Sequence, residues 1–200
     1  LLRRLDPSVR GACLDLTGKT DLTGLVDAVG GLDRLVTPDT GVMHLAAGLG
    51  VPVTAFFLSS AWCHETGPYG IGHQVWQAVV PCAPCLESAP CGQGLVCRPP
   101  LTDPGLPRLL AGSTRAAPPP GLVGYTTDCD SLGTLCRPFA GEDPTLSRRQ
   151  AVRAFLARRL GLTGPAADEL LASGRELSRS YDLETDWILP PAGRPLDGEW

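Results

Sequence analysis

The stretch Leu35-Val-Thr-Pro-Asp-Thr-Gly-Val-Met-His-Leu-Ala-Ala47 decides the reading of the fold. A short apolar run halts at Pro38, a carboxylate follows at Asp39, and Thr40-Gly41 opens a helix of small residues bearing His44. That is the layout of a strand whose carboxyl end delivers polar groups to a helix N-terminus. Unpaired backbone N–H groups and the positive end of the helix dipole make such a junction a natural phosphate site.

The flanking segments extend the same pattern. Upstream, Ala12 to Leu16 reads as a short strand. Thr20 then caps a helix in which Leu22, Leu25, Val26 and Val29 recur on one face until Gly30-Gly31 ends it. Leu32 to Thr37 is the next strand and residues 41–49 the next helix. Val51 to Leu58 is a continuous apolar run rich in β-branched and aromatic residues, as in a strand buried on both faces. His73 to Val80 reads as one more strand. Strands alternating with helices across short connections imply right-handed crossovers and a parallel sheet. The expected class is α/β, with ligands beyond the carboxyl ends of the strands, where Asp39 and Ser59 fall.

Periodicity fails from about Pro99 to Pro144, where Pro118-Pro119-Pro120 and scattered glycines read as a linker or irregular surface segment. Helical signals return from Thr145 to Arg159, with Ala151, Val152, Phe155, Leu156 and Leu160 on one face. A second helix is expected from Pro165 to Ser180, and a Pro/Gly-rich, loosely ordered tail from Leu189 onward. The expected division is a Rossmann-like domain over 1–98, an irregular segment over 99–144 and a helical extension over 145–200.

Two hundred residues suffice for one domain with a substantial core. A formal charge of −4 gives no reason to expect nucleic-acid binding. Met43 is the sole methionine and the chain starts at Leu1, so residues are expected upstream. No basic-then-apolar leader is visible. The weakly charged residues 41–58 are broken by Gly48, Gly50 and Pro52 and contain His44, short of the about 20 apolar residues that a membrane span requires. Eight cysteines without a leader favour free thiols or a metal site over a secreted disulfide framework.

Three motifs, Leu16-Thr-Gly-Lys-Thr-Asp-Leu22, Asp39-Thr-Gly-Val-Met-His-Leu-Ala-Ala47 and Gly50-Val-Pro-Val53, together resemble glycosyltransferase family 9. Its best-known members are ADP-heptose:lipopolysaccharide heptosyltransferases. Thr66-Gly-Pro-Tyr-Gly70 and Pro81-Cys-Ala-Pro-Cys85, with Cys91 and Cys97 after it, fit the same order. The resemblance covers roughly residues 10–100 and implies the C-terminal, sugar-nucleotide half of a GT-B enzyme, in which two Rossmann-like domains face each other across a cleft. It implies that Asp39, Thr40 and Gly41 lie against the donor's diphosphate and sugar. Gly41 would let the backbone approach closely, and Thr40 offers hydroxyl and N–H. Asp39 would accept from sugar hydroxyls or cap the helix. His44, on the same helical face, could donate to a phosphate oxygen. Lys19 and Thr20 would lie near the nucleotide base. Inverting sugar transfer needs a general base and stabilisation of the departing diphosphate. The resemblance places that base, and a basic residue holding the diphosphate, in the other half, so no catalytic residue is assigned and the piece alone is expected to turn over nothing.

Cys82, Cys85, Cys91 and Cys97 supply four thiols within sixteen residues. Structural zinc, free thiols and adventitious disulfides compete for them; no cofactor is expected for catalysis. Cys13 and Cys63 read as packing residues, and Cys129 with Cys136 as a weak second pair. Gly18-Lys19-Thr20 imitates a P-loop ending, but Cys13 stands where that motif requires glycine. His44, His64 and His73 follow no metal-binding spacing. Cys63-His64-Glu65 is taken as the rim of the donor cleft, with Glu65 a hydroxyl contact. Arg148, Arg149, Arg153, Arg158 and Arg159 read as a solvated face that could rest on anionic lipid headgroups.

The leading expectation is thus a sugar transferase half, moving heptose from an ADP-linked donor to a lipopolysaccharide core or similar lipid-linked or glycan acceptor. The expected location is cytoplasmic, with peripheral contact on the inner face of the membrane. The competing readings are a non-catalytic GT-B-like scaffold and a GT-B enzyme using a UDP-sugar.

Overall fold

The computed structural model describes residues 5–85, 90–111 and 117–162. Helix α1 (Pro7–Gly11) precedes α2 (Leu22–Gly30), β1 (Leu35–Pro38), α3 (Gly41–Gly48), β2 (Val53–Phe57), α4 (Cys63–Thr66) and β3 (Gln74–Ala78). Then follow α5 (Pro99–Thr102), α6 (Leu106–Leu110), β4 (Leu122–Asp130), β5 (Gly133–Ala140) and α7 (Leu146–Arg159). The strands form one sheet in chain order. β1, β2 and β3 run parallel, and β4 and β5 add antiparallel to them. The class is α/β and Rossmann-like, with a mixed rather than wholly parallel sheet, consistent with one half of a GT-B arrangement.

The parallel part follows the sequence pattern. Val53-Thr-Ala-Phe-Phe57 is buried along almost its whole length, which explains its unbroken apolar run. One sheet face carries Val53, Ala55, Phe57, Val75, Val123 and Tyr125, packed under Val29 of α2 and Met43 and Ala46 of α3. Burying a side chain such as Phe57 is worth about 1.5–3 kcal/mol. The other face holds Trp76 and Leu122 under Leu106 of α6. Helix α2 is capped by Asp21, whose carboxylate accepts from the Gly24 N–H at 2.7 Å, and not by Thr20.

Further sequence expectations are corrected. Ala12–Leu16 is no strand: residues 6–23 are all exposed, so this apolar-polar alternation has no sheet to pair with among the described residues. The stretch expected to be irregular supplies β4 and β5, joined by a tight turn in which the Leu132 N–H donates to Asp130 at 2.7 Å. Helix α7 turns inward on Ala154, Phe155 and Ala157, whereas Leu156 and Leu160 are exposed.

The arginines of α7 are not all solvated. Arg149 pairs with Asp143, donates to the Cys136 carbonyl at 3.3 Å and lies over the Tyr125 ring at 5.6 Å. Arg153 pairs with Asp130 and donates to the Thr134 carbonyl at 3.4 Å. Both guanidiniums anchor the helix to the β4–β5 hairpin. The expected helix at 165–180 and the tail from Leu189 lie outside the described residues. No helix among the described residues is long and apolar enough to cross a membrane.

Candidate functional site

The exit of β1 presents the group of residues that the sequence singled out. Thr37 is buried and its hydroxyl donates to the Pro38 carbonyl at 2.9 Å, closing the strand end. The Thr37 and Thr40 hydroxyls lie 3.1 Å apart. Thr40 is extended at the N-cap of α3 but makes no side-chain cap bond, so its hydroxyl leaves the first amides of α3 uncapped. Asp39 does not cap the helix either. It is half-buried, and its Oδ2 accepts from the Thr66 hydroxyl at 3.3 Å, tying the site to α4.

Thr40, Gly41 and His44 are exposed, and a Cβ placed on Gly41 would meet nothing within 4 Å. A carboxylate, a hydroxyl, uncapped amides and an imidazole therefore stand together at an open surface, at the carboxyl end of a parallel strand. Lys19 and Thr20 are not bonded to this group among the described residues. They sit in the exposed stretch before α2, and no hydrogen bond or ion pair among the described residues joins them to Asp39 or His44.

Residues that sequence reading passed over hold this corner in place. Gln77 is fully buried. Its Oε1 accepts from the Cys63 N–H at 2.9 Å, and its Nε2 donates to the carbonyls of Leu58 at 2.5 Å and Ala61 at 3.3 Å. One amide thus fixes the loop from the end of β2 to α4, and α4 in turn presents Thr66 to Asp39. A polar residue inside the apolar β3 was the available signal, since a buried amide needs partners. His73, also buried, accepts the Val53 N–H on Nδ1 at 3.2 Å and so binds the start of β2 to β3. Burial holds its pKa below the usual histidine value.

His64 stacks on Trp62 with centroids 5.8 Å apart. Burial, aided by the Arg149 charge, pushes its pKa down to about 4, so it is neutral near neutral pH. Burial works to raise the Asp143 pKa, but hydrogen bonds from Thr145 and Arg149 outweigh it and hold the carboxylate low.

The cysteines are spread out. Cys63 is buried as expected, against Cys136 of β5, whose thiol donates to the Cys63 carbonyl at 3.6 Å. Hydrogen bonding to Cys136 and burial push the Cys63 thiol up. Cys13 is exposed rather than packed. Cys129 contacts the Thr134 hydroxyl at 3.6 Å and not Cys136. Cys85 lies 3.3 Å from the Ser59 hydroxyl, Cys91 accepts the Leu95 N–H at 3.3 Å, and Cys97 is buried. No three metal-binding side chains gather around one point among the described residues.

Comparison with known proteins places these motifs. Residues 1–93 match the model of glycosyltransferase family 9 (heptosyltransferase). A 53-residue stretch is 38% identical to lipooligosaccharide heptosyltransferase 2 of Haemophilus influenzae, covering 26% of this chain and 15% of that protein. No solved structure matches the chain. The segment that ends in β3 and the following cysteines, with the Asp39–His44 corner inside it, is therefore similar to glycosyltransferase family 9, over somewhat less than half of the chain.

Proposed function

We propose that this chain supplies the donor-binding part of a glycosyltransferase that moves a sugar, heptose from an ADP-linked donor, onto a lipopolysaccharide core or related glycan. The observation that carries the reading is the open corner at Asp39–Thr40–Gly41, where the first amides of α3 lack a capping side chain. A diphosphate there would accept from those amides and from Thr40. His44, one turn along, would donate to a second phosphate oxygen. Asp39, held by Thr66, would take sugar hydroxyls rather than phosphate, because two anions in contact repel. The base that deprotonates the acceptor belongs in this reading to the facing half of a GT-B cleft. A cytoplasmic enzyme meeting a lipid-linked acceptor at the inner membrane face completes the proposal.

Thermal unfolding with ADP and UDP tests it. A ligand at about ten times its Kd stabilises the folded state by about 1.4 kcal/mol. For a chain of this size that raises Tm by about 3–6 °C. A shift with ADP and none with UDP supports the reading. Equal shifts favour a UDP-sugar enzyme, and no shift with either favours a scaffold.

A further inference from the structure

A cavity of about 760 Å³ opens between α4, the β4–β5 hairpin and α7. Its size falls in the usual range for small-ligand sites. Trp62 and His64 form one wall as a half-buried aromatic stack with ring planes only 22° apart. Val152 and Leu156 of α7 add an aliphatic wall.

The charges are unevenly committed. Arg149 and Arg153 line the cavity but are bound to Asp143 and Asp130. Arg148 lines it too and has no ion-pair or hydrogen-bond partner among the described residues. The Glu65 carboxylate is equally unpartnered, and it forms no ion pair with Arg148. Among the described residues, a free guanidinium, a free carboxylate and a flat aromatic surface line this one cavity, and together they call for a ligand with matching parts.

We infer that this cavity binds an anionic sugar, a pyranose bearing a phosphate or carboxylate. The ring's C–H face would lie on the Trp62–His64 stack, Glu65 would accept from hydroxyls, and Arg148 would take the anion. Aromatic side chains supply flat apolar area with little entropy to lose. Arginine grips phosphate or carboxylate oxygens through paired N–H groups. The neutral state of His64 suits a stacking role, since a charged ring would need a counter-ion there. This site goes beyond the donor reading: it shares no residue with the Asp39 corner, and it takes in His64 and Glu65, which the sequence reading had put on the rim of the donor cleft.

Isothermal titration of the chain with glucose 6-phosphate, glucuronate, glucose and inorganic phosphate tests it. The first two are expected to bind, and glucose and phosphate to bind at least about tenfold more weakly, each lacking one half of the recognition. Arg148→Gln should weaken the two anionic sugars about tenfold and leave Tm unchanged, because the side chain is exposed and makes no pair among the described residues. Trp62→Leu should weaken glucuronate as well. The inference falls if neither anionic sugar binds, if inorganic phosphate binds as tightly as glucose 6-phosphate, or if R148Q binds like the parent. A phosphorylated oligosaccharide bound more tightly than glucose 6-phosphate assigns the group to a glycan chain, and the reverse order to a free sugar phosphate; either order supports the site. ADP measured in parallel separates the two readings, because its binding should be untouched by R148Q.

Discussion

Lowering the pH should destabilise the fold through His64, and the size of the effect follows from its surroundings. The ring is half-buried against Trp62 and near Arg149, which takes its pKa from 6.5 down to about 4. A histidine with a depressed folded pKa leaves stability intact above the unfolded value. The unfolded chain takes up the proton first, so stability is lost as pH falls from about 6.5 toward about 4, and the loss then levels off. At about pH 5 linkage gives about 2 kcal/mol for a fully enclosed ring. The ring is only partly enclosed, and solvent screening reduces the expected loss to ~1 kcal/mol. His64→Gln is uncharged at every pH and keeps a planar polar group. Urea unfolding of the parent and H64Q at about pH 7.5 and about pH 5 reads the difference, while His73 contributes equally to both. The parent should lose ~1 kcal/mol more than H64Q between the two conditions. Identical losses in the two proteins would refute the assignment of a buried neutral imidazole at this position.

Gln77→Leu keeps the volume but strands the Cys63 N–H and the Leu58 carbonyl, and should cost about 2–4 kcal/mol in chemical denaturation. ADP binding should weaken with it, since the loop to α4 loses its anchor; unchanged stability would show that the amide is not holding that loop. Gly124→Ala would place a Cβ 2.9 Å from Trp76 Cζ3 and from Phe139 Cζ. Phe139 is exposed enough to swing away but Trp76 is buried, so a loss of about 1–3 kcal/mol in Tm analysis is expected. The new Cβ of Gly41→Val meets open space, and the change should leave stability within about 0.5 kcal/mol. The same change should abolish the ADP-dependent rise in Tm if the diphosphate sits against that backbone, and a preserved rise would remove Gly41 from the site.

The parallel half of the sheet was legible because local pattern and burial agree there. Leu35–Pro38 and Val53–Phe57 are mainly apolar runs bounded by helix starts, glycines and prolines, Gln74–Ala78 mixes Val75 and Trp76 with two glutamines, and each is a strand. The corner at Asp39 was legible for the same reason, since a strand that stops just before a small-residue helix leaves its polar residues at the junction. The β4–β5 hairpin was hidden by the glycines and prolines around it. Its signals were present in Leu122-Val-Gly-Tyr-Thr-Thr127 and in the turn Asp130-Ser-Leu-Gly133, but a strand of mixed burial shows no clear alternation. Ala12–Leu16 failed in the opposite sense. Its local pattern suits a strand, yet a strand exists only where a neighbour accepts its hydrogen bonds.

Taken alone, the residue order determined the α/β class, the helix after β1 and the family resemblance, because each rests on contacts between residues close in the chain. Tertiary structure alone decided that Gln77 anchors the loop to α4, that Thr66 meets Asp39, and that Arg149 and Arg153 clamp α7 to the hairpin while Arg148 has no partner among the described residues. Those partners lie 6 to 27 positions apart. Which of several identical side chains finds a carboxylate depends on how the elements pack in three dimensions, and periodicity along one helix carries no record of that.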